Sequence, residues 1–179
     1  MINMSKMTLG ELAAHICSHL ENKGINVTLS GGACVSIYSE NKYQSYDLDF
    51  IEQSFVKRSQ LKEALKEIGF EEKGRHYTNP DTDFYVEFPP GPLSIGDEPV
   101  KEIETIEFST GKLRLISATD CVKDRLAGYY HWGDLQCLEQ AVLVSHDRNV
   151  NLKEIERWSR KEGKLSEFKK IKKRLANKK

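Results

Sequence analysis

The feature that most constrains the fold is a short apolar run that ends in two glycines. Residues 25–29 read Ile-Asn-Val-Thr-Leu, a composition that favours a β-strand. Ser30-Gly31-Gly32 interrupts the run, and residues 33–38 then have the apolar spacing of a short helix. Glycine lets the main chain turn sharply and approach a ligand closely. The pattern therefore predicts a strand, a glycine turn and a helix, with free main-chain N–H groups that suit a phosphate.

Two aspartates follow on a second predicted strand. Residues 46–51 alternate strictly, so Asp47 and Asp49 share one face while Leu48 and Phe50 point into the core. Carboxylates on one face repel each other unless a cation lies between them. Magnesium takes oxygen ligands and keeps waters for substrate phosphates. The alternative is an exposed strand face with two solvated aspartates, but the glycine turn one strand away favours a nucleotide site with a divalent metal.

A third carboxylate lies on a later predicted strand, residues 83–88. Glu87 is on its polar face and is predicted to bind the metal or to act as a general base. Asp83 shares that face but lies nearer the start of the strand and is the weaker candidate. An ordinary exposed strand glutamate is the alternative for Glu87.

These motifs together resemble a known signature. Ser30-Gly31-Gly32, a short helix and then residues 45–50, Ser-Tyr-Asp-Leu-Asp-Phe, resemble the DNA polymerase β-type nucleotidyltransferase superfamily. A long gap, a serine two residues before the first aspartate and a phenylalanine after the second are similar to the AbiEii-like bacterial toxin nucleotidyltransferases. Those relatives often carry arginine shortly before the serine, where this chain has Lys42-Tyr43-Gln44. This departure bears on substrate choice rather than on the fold.

The resemblance implies an activity and a set of site residues. It implies transfer of a nucleoside monophosphate from a nucleoside triphosphate to a hydroxyl on RNA, protein or a small molecule, with Mg²⁺ or Mn²⁺ as cofactor. A tRNA end or a protein side chain is the expected acceptor, and an antitoxin protein is a possible partner. The metal ligands, which are also the catalytic residues, would be Asp47, Asp49 and Glu87, and the nucleotide would be bound by Ser30, Gly31, Gly32, Ser45 and Lys123. The alternative is a catalytically silent protein of the same fold that acts by binding RNA or a protein partner.

Three further positions carry weaker hypotheses. Lys123, on a predicted helix after the last strand, would reach the triphosphate by the resemblance, or would form a surface pair with nearby acids. Arg75 and His76 on a possible hairpin near the site, and His131-Trp132 at a helix junction, are candidates for contacts to the base or acceptor. Packing roles are the alternative for these side chains.

The remaining patterns predict an α/β (α+β) fold, a nucleotidyltransferase-type mixed β-sheet flanked by helices with a helical C-terminal part. Thr8 and Glu11 form the pattern of a capping box for a helix over 8–23. We expect a core over 1–117 and a helical extension over 118–179. Further predicted elements are a strand over 70–77, a hairpin over 103–117 and helices near 59–68, 119–132 with Thr119 or Asp120 as cap, 134–146, 152–162 and 165–176.

Charge and cysteine content narrow the function classes. The net charge is zero, which does not support a general attraction to nucleic acid, but residues 169–179 hold seven basic and no acidic side chains. This basic segment would contact RNA or an acidic partner, or would be a solvated terminal helix. The four cysteines are widely spaced without a CxxC pair, so we expect reduced, mostly buried thiols. No membrane span or signal segment is apparent, and we expect a cytoplasmic protein.

Overall fold

The computed structural model describes residues 4–176. Its nine strands are β1 (Val27–Ser30), β2 (Asp47–Glu52), β3 (Glu71–Lys73), β4 (His76–Thr78), β5 (Tyr85–Glu87), β6 (Ser94–Ile95), β7 (Glu98–Pro99), β8 (Ile103–Phe108) and β9 (Gly111–Ile116). Its α-helices are α1 (Leu9–Asn22), α2 (Gly32–Tyr38), α3 (Arg58–Glu67), α4 (Ala118–Trp132), α5 (Leu135–Asp147), α6 (Leu152–Lys161) and α7 (Leu165–Ala176).

Seven of the strands form one mixed sheet in the order β3-β4-β5-β2-β1-β9-β8. Strand β1 lies inside the sheet, antiparallel to β2 and parallel to β9. On its other edge β2 pairs with β5 in parallel, which places the two predicted acid-bearing strands side by side. The predicted fold class, a mixed sheet flanked by helices with a helical C-terminal part, is confirmed.

Helix α1 covers one face of the sheet and begins where the sequence predicts. The Thr8 side chain accepts from the main-chain N–H of Glu11, and the Glu11 carboxylate accepts from the main-chain N–H of Thr8, so the capping box is formed. The helix packs on β1, β9 and α3. Large side chains of this core that are fully buried include Leu12, Ile16, Leu20, Leu29, Leu48, Phe50, Leu65 and Phe70.

Two of the predicted elements differ in detail. Residues 70–77 do not form one strand, because the chain reverses at Gly74, whose φ is +68°, between the antiparallel strands β3 and β4. The cap of α4 is Ser117 rather than Thr119 or Asp120. Its hydroxyl accepts from the main-chain N–H of Asp120 at 3.1 Å, which satisfies an N–H group of the first turn.

A small hairpin was missed by the sequence patterns. Strands β6 and β7 pair with each other apart from the main sheet, on either side of a Gly96-Asp97 turn. The Trp158 Nε1 group of α6 donates to the main-chain oxygen of Ile95 at 3.3 Å, which attaches the hairpin to the C-terminal helices. Two-residue strands carry no periodicity, although Gly-Asp is a recognised hairpin dipeptide.

The cysteines are mostly buried, as expected, and the described basic side chains of the C-terminal segment are exposed. Cys17, Cys34 and Cys121 are buried and Cys137 is partly buried, all as free thiols. The basic side chains of α7 are exposed, while Lys178 and Lys179 lie outside the described residues. Between residues 4 and 176, no helix combines the length and apolarity needed to cross a lipid bilayer.

Candidate active site

The predicted acids meet on one face of the sheet. Asp49 lies opposite Glu87 on the parallel strand β5 and opposite Ser30 on the antiparallel strand β1. Residues opposite each other on neighbouring strands project from the same face of a sheet. Asp47, two residues earlier on β2, shares this face because side chains alternate along a strand. We refer to Asp47, Asp49 and Glu87 as the acid cluster.

The glycine turn lies directly against the acid cluster. Gly31 has a φ of +71°, which L side chains rarely adopt, and a Cβ atom there would lie 2.6 Å from Asp49 Oδ2. A Cβ atom on Gly32 would lie 3.2 Å from Ser45 Oγ. The absence of both side chains therefore leaves bare main chain between Asp49 and Ser45, which is the space that the sequence assigned to a phosphate.

The negative charge of the acid cluster is only partly compensated. Burial raises the pKa of Asp49 to about 7, and the negative charges of Asp47 and Glu87 add to this effect. Arg125 opposes it only in part. Within residues 4–176, neither aspartate forms an ion pair with a lysine or arginine. A cation supplied from outside the chain would relieve this repulsion.

Both predicted serines hydrogen-bond to the acid-bearing strand. Ser45 Oγ donates to Asp47 Oδ1, and the main-chain N–H of Ser45 donates to Ser36 Oγ at 2.8 Å. Ser30 Oγ donates to the main-chain oxygen of Asp49 at 3.3 Å. Ser45 therefore orients the Asp47 carboxylate, whereas Ser30 attaches β1 to the main chain of β2.

Glu87 has a neighbour that sequence reasoning treated only as a minor candidate. His76 on β4 lies opposite it, with Nδ1 2.5 Å from Glu87 Oε1. The ring nitrogen is not aligned for a hydrogen bond despite this short distance. The His76 ring also meets Tyr85 edge to face at 5.0 Å between centroids. Only the register between β4 and β5 brings these side chains together, and sequence does not give that register.

The lysines near the motifs are held by other acids. Lys42 Nζ lies 2.6 Å from Asp147 of α5. The Lys123 side chain is only 8% exposed, and Nζ donates to Asp120 at 2.9 Å and to Glu154 at 2.8 Å. The structure therefore does not pair Lys123 with the acid cluster, and its contact with a triphosphate stays a prediction.

Lys123 belongs to a chain of alternating charges that we name the ion-pair ladder. Arg157 bridges Glu154 and Glu98, and Lys161 also contacts Glu98 at 3.0 Å. The ladder lines a cavity of about 600 Å³ between the β6–β7 hairpin, α4 and α6. None of the acid cluster or of the glycine turn lines that cavity. The ladder consists of Asp120, Lys123, Glu154, Arg157, Glu98 and Lys161.

The donor chemistry of the acid cluster suits a hard divalent cation. Among residues 4–176 no group of three or more His, Cys, Asp or Glu side chains converges as a complete metal site. Two carboxylates, Asp47 and Asp49, share the face beside the glycine turn. Magnesium is commonly held by one or two carboxylates with waters and substrate phosphates completing the shell. The aspartates fit such an ion, and Glu87 as a third ligand stays a prediction.

Comparison with solved structures identifies the architecture. An antigenic nucleotidyltransferase-like protein from Paracoccidioides brasiliensis matches with a TM-score of 0.64 over 95% of this chain and 93% of that chain, at 13% identity. The fold is nucleotidyltransferase-like. The solution structure of the antibiotic-resistance factor ANT(2'')-Ia also matches, with a TM-score of 0.54 over 97% of this chain and 96% of that chain, at 12% identity. The crystal structure of ANT(2'')-Ia in complex with adenylyl-2''-tobramycin matches with a TM-score of 0.51 over 87% of this chain and 94% of that chain, again at 12% identity.

Sequence comparisons do not assign the chain to a family within this fold. No protein-family model matches the chain, and no curated protein matches its sequence. The wider resemblance to nucleotidyltransferases is therefore supported at the level of the fold, while membership of the AbiEii-like toxins stays a prediction from the motif.

Proposed function

We propose that this protein is a metal-dependent nucleotidyltransferase that moves a nucleoside monophosphate from a nucleoside triphosphate to an acceptor hydroxyl. One observation carries the proposal. Asp47 and Asp49 share a face without a lysine or arginine partner in the described chain, immediately beside a glycine turn that leaves its main chain bare. Like charges in a partly buried place need a cation, and phosphate chemistry commonly supplies one as Mg²⁺.

The aspartates and the glycine turn would have different roles in binding the substrate. Asp47 and Asp49 would hold the Mg²⁺ or Mn²⁺ ion, and Ser45 would keep the Asp47 carboxylate oriented through its hydrogen bond. The metal would supply charge neutralisation and alignment of the triphosphate. Main-chain groups of Gly31 and Gly32 would contact the phosphate oxygens, since no Cβ intervenes.

The transfer itself needs a proton acceptor. The acceptor hydroxyl oxygen attacks the α-phosphorus, the bond to the bridging oxygen breaks, and pyrophosphate leaves. The hydroxyl proton passes to a carboxylate of the acid cluster. Glu87 suits this role because it lies opposite Asp49 on the same face of the sheet and has His76, rather than a lysine or arginine, as its ion-pair neighbour in the described chain.

Three classes of acceptor are candidates, namely RNA, protein and small molecules, and different observations favour them. The motif resemblance favours an RNA end or a protein side chain. The similarity in fold to ANT(2'')-Ia, which was solved with adenylyl-2''-tobramycin, favours a small-molecule hydroxyl. A role as the toxin of a toxin–antitoxin pair rests on the motif resemblance alone.

The direct test is a transfer assay with each of the four α-³²P-labelled nucleoside triphosphates and Mg²⁺. The acceptors would be total tRNA, a cell-lysate protein fraction and a panel of aminoglycosides. We expect one donor–acceptor pair to become labelled. Asp49→Asn should reduce the rate about 1,000-fold, roughly 4 kcal/mol of transition-state stabilisation. Asp83→Asn is the matched control, because Asp83 is an exposed acid of the neighbouring segment outside strand β5.

The binding-only alternative makes the opposite prediction. A catalytically silent protein would label no acceptor, and Asp49→Asn would leave its contact with RNA or a protein partner unchanged. Equal rates for the wild type and Asp49→Asn would contradict the proposed enzyme even if some labelling were seen, since the activity would then come from another source.

A further inference from the structure

The Tyr43 side chain lies beside the glycine turn. Its hydroxyl oxygen is 3.5 Å, and its Cε1 atom 3.6 Å, from the position that a Cβ atom on Gly32 would occupy. The ring is partly buried against the core, and the main-chain N–H of Tyr43 donates to Ser39 Oγ at 3.4 Å. The hydroxyl is therefore held at the edge of the bare main chain by a packed ring rather than by a flexible side chain.

The other hydroxyls at this turn are already engaged. The proton of Ser45 Oγ is donated to Asp47, and that of Ser30 Oγ to the main-chain oxygen of Asp49. A serine hydroxyl has one proton to donate, so neither serine can donate to a phosphate without releasing the acid strand. In the described chain, residues 4–176, the Tyr43 hydroxyl makes no hydrogen bond and its proton is available.

Three cations that neighbour the motifs in the sequence or act on Asp49 are engaged as well. Lys42 pairs with Asp147, Lys123 with two acids of the ion-pair ladder, and Arg125 with Asp124 and Gln140. None of these three side chains is free to meet a phosphate in the structure as it stands, so a neutral side-chain donor at the turn would add to what main-chain groups and metal supply. Hydrogen bonds to a charged partner are stronger than those between neutral groups, so a tyrosine hydroxyl that donates to a phosphate at the turn would strengthen phosphate binding.

We propose that the Tyr43 hydroxyl donates a hydrogen bond to a phosphate oxygen of the nucleoside triphosphate at the glycine turn. This inference rests on the proposed function, because it needs a triphosphate at that turn. It makes Tyr43 a phosphate-binding residue, and it gives a physical reason for a tyrosine in the segment that precedes the acid strand.

The test uses Tyr43→Phe, which removes the hydroxyl and keeps the ring. The ligand is inorganic tripolyphosphate with Mg²⁺, measured by titration calorimetry, because it presents the phosphates without base or ribose. We expect binding to weaken about 10- to 50-fold, the size of a lost hydrogen bond to a charged group. The melting temperature of the variant should stay near that of the wild type.

Tyr46→Phe is the matched control. Tyr46 is 56% exposed, its ring meets that of Phe84 at a tilted angle, and it contacts no residue of the glycine turn in the described interactions, so loss of its hydroxyl should leave affinity unchanged. Equal affinity of Tyr43→Phe and wild type would overturn the inference while leaving the proposed function intact. No binding of tripolyphosphate or of any nucleoside triphosphate by the folded wild type would overturn both.

Discussion

The acid cluster and the ion-pair ladder handle charge in opposite ways. In the ladder every carboxylate contacts a lysine or arginine, and Arg157 holds Glu98 through two hydrogen bonds of 2.9 and 2.6 Å. In the acid cluster three carboxylates project from one face of the sheet. The His76 ring lies beside Glu87, and Arg125 offsets the charge around Asp49 only in part. The chain has as many basic as acidic residues, yet within residues 4–176 none of these three carboxylates forms an ion pair with a lysine or arginine.

The pKa values follow the same division. Hydrogen bonds from Arg157 lower the pKa of Glu98 and of Glu154 to about 2, with lysines adding to the effect. Burial and neighbouring carboxylates raise the pKa of Asp49 to about 7. The ladder therefore favours the folded state on its own, whereas the acid cluster is destabilising until a cation arrives. This contrast separates a structural cluster from a candidate functional one.

Breaking the ladder at its buried member should have the largest effect on stability. Lys123→Met would leave Asp120 without a basic partner in a place where the lysine side chain is only 8% exposed. We expect the free energy of unfolding to fall by about 3 kcal/mol, as for other buried pairs that lose one partner. Urea denaturation would measure it.

The ladder also supplies the control. Lys161 is 56% exposed and Glu98 keeps its contacts with Arg157, so Lys161→Ala should cost less than about 1 kcal/mol. Equal losses in Lys123→Met and Lys161→Ala would mean that burial does not set the strength of the ladder.

Adding metal should change the acid cluster and leave the ladder unaffected. Mg²⁺ or Mn²⁺ at 100 times its dissociation constant should stabilise the wild type by about 2.7 kcal/mol, seen as a rise in melting temperature. The Asp47→Asn/Asp49→Asn double variant should show no rise. Sodium chloride of equal ionic strength is the control for screening, and an identical rise with sodium would exclude a specific divalent site.

Removing the Asp49 charge should stabilise the metal-free protein. Because the folded pKa of about 7 lies above the ordinary value of 3.8, wild type loses stability as pH rises from about 4 to 7, where the unfolded chain ionises more readily. Asp49→Asn lacks this loss, so we expect it to be more stable above pH 7 and equal to wild type near pH 3. The full shift corresponds to about 4 kcal/mol, and solvent screening at this partly buried side chain should reduce the difference to roughly 2 kcal/mol.

Urea unfolding in EDTA across this pH range would check the difference. Asp83→Asn is again the control, since its exposed carboxylate lies outside the acid cluster. A stability difference between Asp49→Asn and wild type that does not change with pH would contradict the electrostatic explanation.

Local patterns were enough to predict the site's strands and turn, but not its contacts. The capping box at Thr8, the glycine turn and the alternation around Asp47 and Asp49 depend on residues within a few positions of each other. Strand order and register are not local, so neither the approach of His76 to Glu87 nor the partners of Lys123 could be read from the sequence.

The predicted role of Lys123 illustrates the limit. Helix α4 was predicted correctly, but the direction of one side chain depends on α6, about 30 residues away, which supplies Glu154. The β6–β7 hairpin was missed for a related reason, because its stability comes from Ile95 and Glu98 meeting Trp158 and Arg157 rather than from strand propensity.

The pairing of β1 with β9 has a consequence for how the protein is made. Leu29 and Leu115 are partners in a parallel ladder, although 86 positions separate them in the chain. During synthesis the strand that leads into the glycine turn must wait for the ninth strand to leave the ribosome before both of its edges are covered. Until then one edge of β1 has no partner from the main sheet, and such unpaired edges are where nascent chains aggregate. The candidate active site is therefore expected to mature late, although the residues that form it are translated before β9.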